Sequence, residues 1–261
     1  MQLSLSGKHA LVGGGSAGIG KAVAIELAML GADVTLVART ETALQKAVQE
    51  LNTSTGQVHG YIVADYAQPD TLIAQVAQLV TDKPVHILIN NTGGPPGGPI
   101  IAATATAFLS AIHNHLICNQ LLAQTVLEGM KSAGYGRIVN VISTSVKEPL
   151  DNLGVSNTTR WAVAGWSKTW ANEVGRFGIT VNNVLPGYTA TGRLTEIVEK
   201  RAAASGLTPE VVEEQFKSHV PLRRFAQPAE IAAAVAFLTT PAAGYINGVN
   251  LPVDGGRTKS L

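Results

Sequence analysis

Apolar residues along this chain gather in short unbroken runs, and between the runs they recur every three or four positions. The runs are KHALVG (8–13), DVTLVA (33–38), HGYIVA (59–64), VHILIN (85–90), GRIVNVI (136–142), ITVNNVL (179–185) and INGVNLPV (246–253). Each is strand-sized and predicts a strand covered on both faces. In the first intervening stretch Ile19, Val23, Leu27 and Leu30 fall on helical spacing, which predicts a helix over 18–30. The same periodicity predicts helices over 40–52, 70–81, 104–131, 156–175, 193–204, 209–218 and 228–239. Buried strands alternating with helices imply an α/β fold, a Rossmann-type doubly wound parallel sheet flanked by helices on both faces. No linker or internal repeat interrupts the alternation, so residues 1–261 are expected to form one domain.

Composition narrows the function classes. The 261 residues are 46% hydrophobic and 14% charged, which gives ample material for a core and argues against disorder. Net charge is +1 and no basic run occurs, so no nucleic-acid partner is expected. The single cysteine, Cys118, excludes an internal disulfide and leaves no basis for a metal cluster; it reads as a core residue. No stretch approaches the roughly 18 consecutive apolar residues of a membrane span. The N-terminus, MQLSLSGKHALV, has no charged head ahead of an apolar core. A cytoplasmic location without a membrane partner is the expectation.

Candidate chemistry begins after the first run. GGGSAGIG (13–20) opens directly into the first helix. Gly14, Gly18 and Gly20 allow a tight turn and close approach of the backbone to a pyrophosphate, with Ser16 and Ile19 in the same loop. The helix N-terminus there adds free N–H groups and positive dipole. The second run ends Ala38–Arg39. A site for NAD usually carries an acid here for the ribose 2′-hydroxyl. Arg39 instead offers a fork suited to a 2′-phosphate, so NADP(H) is the expected cofactor.

The wider glycine spacing resembles the Gly-x-x-x-Gly-x-Gly of the short-chain dehydrogenase/reductase family, and the resemblance covers nearly the whole chain. NNTG (90–93), with Asn91 and Gly93, is similar to that family's Asn-Asn-Ala-Gly. Asp65 matches its adenine-contacting aspartate, Asn114 its helical asparagine and Ser143 its catalytic serine. PGYTAT (186–191) matches Pro-Gly-x-x-x-Thr near the nicotinamide through Pro186, Gly187 and Thr191, and VDGG (253–256) matches the family ending. The resemblance is to the 3-oxoacyl-carrier-protein-reductase-like branch. It implies an oxidoreductase acting on a carbonyl substrate, often assembled as a tetramer. A basic residue that many NADP-binding members carry is absent at Ala17.

One departure is chemical. Thirteen residues beyond Ser143, where the family places Tyr-x-x-x-Lys, this chain reads SNTTR: Ser156 and Arg160. On a helix the two share a face. Ser156 could equally cap the helix and Arg160 be a solvated surface residue. A phenol titrates near ~10 and a serine hydroxyl near the ~16 of water. That six-unit gap corresponds to roughly 8 kcal/mol. Ser156 is thus a poor proton donor, and Arg160, with a pKa above ~12, cannot cycle a proton. Three alternatives remain. Another donor, such as Lys147 or Tyr188, could act. Ser143, Ser156 and Arg160 could polarise an activated carbonyl while water supplies the proton. Or the chain could bind NADP(H) with little turnover, as a sensor or inert subunit. His113 and His115 flank Asn114 about 100° away around an α-helix and read as packing or surface residues.

Two further segments bear on substrate and assembly. GGPPGGP (93–99) follows the fourth run and is expected to border the ligand crevice. Residues 193–218 occupy the family's variable lid, where Leu194, Ile197, Val211, Val212 and Phe216 predict an apolar cover. Trp161, Trp166 and Trp170 lie in one predicted helix. Trp166 and Trp170 share a face and Trp161 is turned about 140° from Trp166. Bulky residues on both sides predict packing on the sheet and against a second subunit, hence a homo-oligomer, dimer or tetramer.

Overall fold

The computed structural model describes residues 1–260. Its strands are β1 (His9–Gly13), β2 (Asp33–Ala38), β3 (Gly60–Val63), β4 (Ile87–Asn90), β5 (Gly136–Val141), β6 (Ile179–Pro186) and β7 (Asn250–Val253). They form one parallel sheet in the order β3-β2-β1-β4-β5-β6-β7. The order reverses at β1 and β4, so a crevice opens outside their carboxyl ends.

The helices are α1 (Gly18–Met29), α2 (Glu41–Gln49), α3 (Pro69–Asp82), α4 (Ala105–Ile112), α5 (Cys118–Ser132), α6 (Gly154–Val174), α7 (Gly192–Ser205), α8 (Pro209–Ser218) and α9 (Pro228–Thr239). On one face of the sheet Val23 and Leu27 of α1 and Ile231 and Val235 of α9 pack over Val12, Leu36, Ile89 and Val139. On the other face Leu72 of α3, Leu122 and Val126 of α5 and Trp170 of α6 cover Leu11, Leu88, Ile138 and Val181. Strands clad on both sides are apolar on both sides, which is why they appear in the sequence as runs. Each large aliphatic side chain buried here contributes about 1.5–3 kcal/mol.

The structure departs from the sequence expectation in two places, and it removes the capping reading of Ser156 and the solvated reading of Arg160. The predicted helix 104–131 is α4 and α5 joined by a π-helical turn, His113–Ile117. The last strand is shorter than 246–253: Gly248 sits at φ 73°, and the Asn247 side chain accepts from the Val181 amide at 2.9 Å, so the chain turns before pairing begins at Asn250. Helix α6 starts at Gly154 with Leu153 in the capping position, so Ser156 is inside the first turn and is not the cap. Arg160 is 7% exposed and buried, not solvated.

The sheet also contains a polar ladder. Asn90, Asn140, Asn183 and Asn250 occupy paired positions on β4, β5, β6 and β7. Asn90 donates to Asn140 Oδ1 at 2.8 Å, Asn140 to Asn183 Oδ1 at 2.8 Å, and Asn183 to Asn250 Oδ1 at 2.7 Å. A buried amide without partners costs about 1–3 kcal/mol. Removing Asn140 strands a donor on Asn90 and an acceptor on Asn183. We predict that Asn140→Ala lowers unfolding stability by about 2–4 kcal/mol. Urea denaturation checks this, and a loss under about 0.5 kcal/mol, the scale of an ordinary surface change, contradicts it.

Candidate active site

The glycine-rich turn packs because it lacks side chains. Gly14 has φ 58° and Gly18 φ 55°. A Cβ on Gly20 would lie 2.2 Å from the Gly14 carbonyl oxygen, so α1 can approach the turn only with glycine there. Asn91 clamps the same turn by donating from Nδ2 to the Gly13 oxygen at 3.1 Å. A Cβ on Gly18 would stand 3.4 Å from the Thr191 methyl, which brings the start of α7 over the start of α1. Ile19 packs on the core behind the turn.

Outside the carboxyl ends of β1, β2 and β4 lies a cavity of about 380 Å³. Gly14, Ser16, Arg39, Asp65, Gly93 and Asn114 line it, and so do Thr40, Tyr66 and Thr92. Arg39 is exposed at its rim. Asp65 Oδ1 accepts from the Ala67 amide at 2.9 Å, which fixes the carboxylate at the head of the next loop. A glycine cradle at a helix N-terminus, an arginine at the end of β2 and an acid after β3 fit a dinucleotide with an extra phosphate.

A second cavity, of about 590 Å³, adjoins the first. The two share Gly93, Gly94 and Asn114. Its walls are the 93–99 loop, one side of α4, Val155 of α6, and His115. The loop is fixed by three hydrogen bonds, two to the start of α6 and one to the start of α7. Gly98 donates to the Asn152 carbonyl at 2.7 Å, Gly154 donates back to the Gly98 oxygen at 3.2 Å, and Arg193 Nη2 reaches the Pro95 oxygen at 3.0 Å.

The remaining expected residues line neither cavity. Ser143 ends the segment after β5, and its oxygen accepts from the Ser145 amide at 3.0 Å. Ser156 is half-buried beside Val155. Pro186 and Gly187 pack against β7, where a Cβ on Gly187 would lie 2.7 Å from Asp254. Thr191 precedes α7 and donates to the Thr189 oxygen at 3.3 Å. Arg160 lies behind Gly94, with Nη2 3.7 Å from where a Gly94 Cβ would be. Its Nη1 donates to the Val141 oxygen at 3.3 Å, and its buried Nε has no partner. Burial pulls its pKa down to about 10, which leaves a cation at neutral pH without a carboxylate among the described residues.

The two alternative donors are placed differently. Tyr188 stacks on Phe216 with centroids 4.8 Å apart and lies under Arg257, in an apolar cluster with Leu194, Val198 and Val212. It bounds neither of the two adjoining cavities. Lys147 follows the short turn Thr144–Val146 and likewise lines neither. In the 193–218 segment Leu194, Val212 and Phe216 pack inward, Ile197 is half-buried and Val211 is 44% exposed.

Sequence reasoning missed His115 and its partner Thr92. His115 follows Asn114 in the π turn, and both line the second cavity. Its Nδ1 is 2.6 Å from Thr92 Oγ1. Burial, then the Arg160 charge, push its pKa down to about 3, so the ring is neutral. The threonine in NNTG was the available signal, since the family pattern has alanine there.

An α/β oxidoreductase with a dinucleotide crevice is the class this fold and crevice define. The chain belongs to the short-chain dehydrogenase/reductase family: the family model described as enoyl-(acyl carrier protein) reductase matches residues 14–258. It is 34% identical over 98% of its length to a chloroplastic tropinone reductase homolog of Arabidopsis thaliana, covering 77% of that protein. It is 32% identical to the 3-oxoacyl-[acyl-carrier-protein] reductase FabG of Pseudomonas aeruginosa, covering 99% of this chain and 100% of that one. L-sorbose reductase from Gluconobacter frateurii, solved with NADPH and L-sorbose, superposes with a TM-score of 0.93 at 31% identity, over 100% of both chains.

If Arg39 is the group that meets a 2′-phosphate, Arg39→Ala should weaken NADPH binding roughly 10–100-fold, the loss of a charge-assisted pair. NADH binding should change little. Calorimetric titration of both cofactors checks this, and equal affinities on the unmutated protein would rule it out.

Proposed function

We propose that this protein is an NADPH-dependent reductase of a small carbonyl compound, a ketone or 3-oxoacyl thioester, with an atypical proton-handling centre. The observation that carries the reading is the pair of adjoining cavities, one with the features of a nucleotide site and one walled by glycine, proline and alanine, meeting at Gly93, Gly94 and Asn114. The NADPH bound in L-sorbose reductase supports the choice of cofactor.

In this reading the turn Gly14–Gly20 holds the pyrophosphate, with Ser16 and the α1 N-terminus. Arg39 takes the 2′-phosphate and Asp65 the adenine, while Asn91, Gly93, Pro186, Gly187 and Thr191 frame the path to the nicotinamide. A reduced nicotinamide supplies hydride when bound there. The chain's own task is to orient the carbonyl and stabilise the charge that develops on its oxygen. Asn114 stands at the junction of the cavities. Ser143 and Ser156, which line neither cavity, are the two hydroxyls this reading assigns to the carbonyl oxygen. Arg160 contributes a buried positive charge, which the low local dielectric makes effective. Tight NADP(H) binding without turnover is the second reading, favoured by the serine in the tyrosine position.

The test follows NADPH absorbance with acetoacetyl thioesters, simple ketones and ketoses. The unmutated protein should oxidise NADPH slowly with at least one of them. Ser156→Tyr combined with Arg160→Lys restores a phenol beside an ammonium and should raise that rate about 10-fold or more, since proton donation contributes about 10²–10⁴-fold. No turnover by either protein, with NADPH binding intact, would leave the binding-only reading.

We also propose that the protein self-associates. Ile101, Leu109 and Trp161 are 95%, 68% and 51% exposed. Trp166 and Trp170 are instead drawn toward α5, both donating to Gln120 Oε1 at 2.7 and 2.8 Å. Light scattering at micromolar concentration should show a dimer or tetramer, and Trp161→Glu should shift it toward monomer. A monomeric parent protein would contradict this.

A further inference from the structure

A hydroxyl and an imidazole stand where the family pattern supplies neither. Thr92 replaces the alanine expected in NNTG, and its Oγ1 lies 2.6 Å from His115 Nδ1. Thr92 lines the nucleotide cavity and His115 the adjoining one, so the pair spans the boundary where a nicotinamide and a substrate would meet. The imidazole is held by packing, with only 3% of the residue exposed. With Nδ1 taken by Thr92, Nε2 is the ring nitrogen left for a ligand in the cavity.

We propose that His115 is the catalytic group that meets the substrate carbonyl oxygen, donating a hydrogen bond and then the proton from Nε2, with Thr92 fixing that tautomer. This rests on the reductase reading and names its proton source. The proposal requires the Thr92 hydroxyl to donate to Nδ1, with the ring hydrogen on Nε2. A neutral imidazole can act as an electrophile toward a carbonyl when its surroundings keep it uncharged. Burial keeps this ring neutral.

Atoms and electrons balance in this step. The carbonyl carbon receives a hydride from the reduced nicotinamide, which is oxidised as the carbonyl is reduced. The C=O π pair moves onto oxygen. The Nε2 proton passes to that oxygen, because an alkoxide is about as basic as hydroxide, whose parent water titrates at about 15.7. The imidazolate left behind regains its proton from water. Arg160, close enough for its charge to act on His115, stabilises the negative charge on oxygen and then on the ring. A phenol is the stronger acid, so a protein working this way is slower than one with a tyrosine at position 156.

The test uses the full chain with NADP⁺ bound and histidines labelled with ¹⁵N. At neutral pH the His115 signals should report hydrogen on Nε2. Adding acetoacetyl-N-acetylcysteamine as the carbonyl probe should shift Nε2 more than Nδ1. In turnover assays His115→Phe, which keeps the ring's bulk, should lower kcat about 10²–10⁴-fold, with NADPH affinity within threefold of the parent. Thr92→Val should cost less, about tenfold, and Thr92→Ser should restore the rate. Hydrogen on Nδ1, a probe that moves no His115 signal, or a His115→Phe rate within threefold of the parent would each overturn the proposal. If His115→Phe does not fold, the Thr92 pair and the spectra of the unmutated protein decide. A parent protein that reduces no carbonyl defeats the reductase reading; the probe-induced shift then upholds or overturns carbonyl recognition by His115 on its own.

Discussion

The four-asparagine ladder is the constraint on which the working edge of this protein depends. Parallel strands offer no hairpin to set their register, so side chains must help to do it. Here the amides of Asn90, Asn140, Asn183 and Asn250 bond in series across β4 to β7. A slip of one residue on any strand would turn its amide to the opposite face and leave buried groups unpaired. Each strand then delivers its candidate residues just past the ladder: Asn91 and Thr92 after β4, Ser143 after β5, Pro186 and Gly187 from β6, Asp254 after β7. Toward β1 the ladder stops. Gly13, the last residue of that strand, has no side chain to offer, and Asn90 Oδ1 is buried without a partner. The glycine needed for the phosphate turn and the end of the ladder meet at one place.

Charge is the second organising fact. Arg160 is buried behind Gly94 with no carboxylate paired to it among the described residues. Burying an unpaired cation is expensive, and a lysine in such a place loses its proton readily. An arginine keeps it even with its pKa drawn down to about 10. The consequence is a fixed positive potential beneath the junction of the two cavities. It adds to the burial that keeps the neighbouring imidazole neutral, and it favours negative charge in front of it. Arginine in place of lysine therefore preserves the charge of the family pattern while giving up the ability to move a proton.

Most of the architecture was legible because two-sided burial writes each central strand as an apolar run. The tight turn after β1 was legible because only glycine can fill it, and the exposed position of Arg39 because strand β2 ends in the open. The hidden features depend on long-range geometry. The asparagines gave no sign of pairing, since they lie 50, 43 and 67 residues apart. Arg160 reads as a surface residue when its helix is taken alone. His115 reads as a packing residue and is buried, but that it also lines the second cavity depends on the 93–99 loop and α6, which meet it only in the folded chain. The threonine of NNTG was visible, but its partner stands 23 residues further on and meets it only in the folded chain.

Most of the boundary between the two cavities is backbone, with Asn114 the one side-chain-bearing residue common to both. Gly93 and Gly94 present no side chains to either cavity, so the boundary is thin and polar groups can reach across it. Pro95, Pro96 and Pro99 remove conformational freedom from a segment that so much glycine would otherwise loosen. Its ties run to the start of α6 through Asn152 and Gly154, and to the start of α7 through Arg193 and Pro95. Helices α7 and α8 pack mainly on their own cluster around Tyr188. The loop is thus held rigidly on the α6 side and through one exposed contact on the α7 side. The second cavity therefore has a fixed wall bearing His115, and since no residue of α7 or α8 lines it, those helices are coupled to it only through the Arg193 tie to the loop.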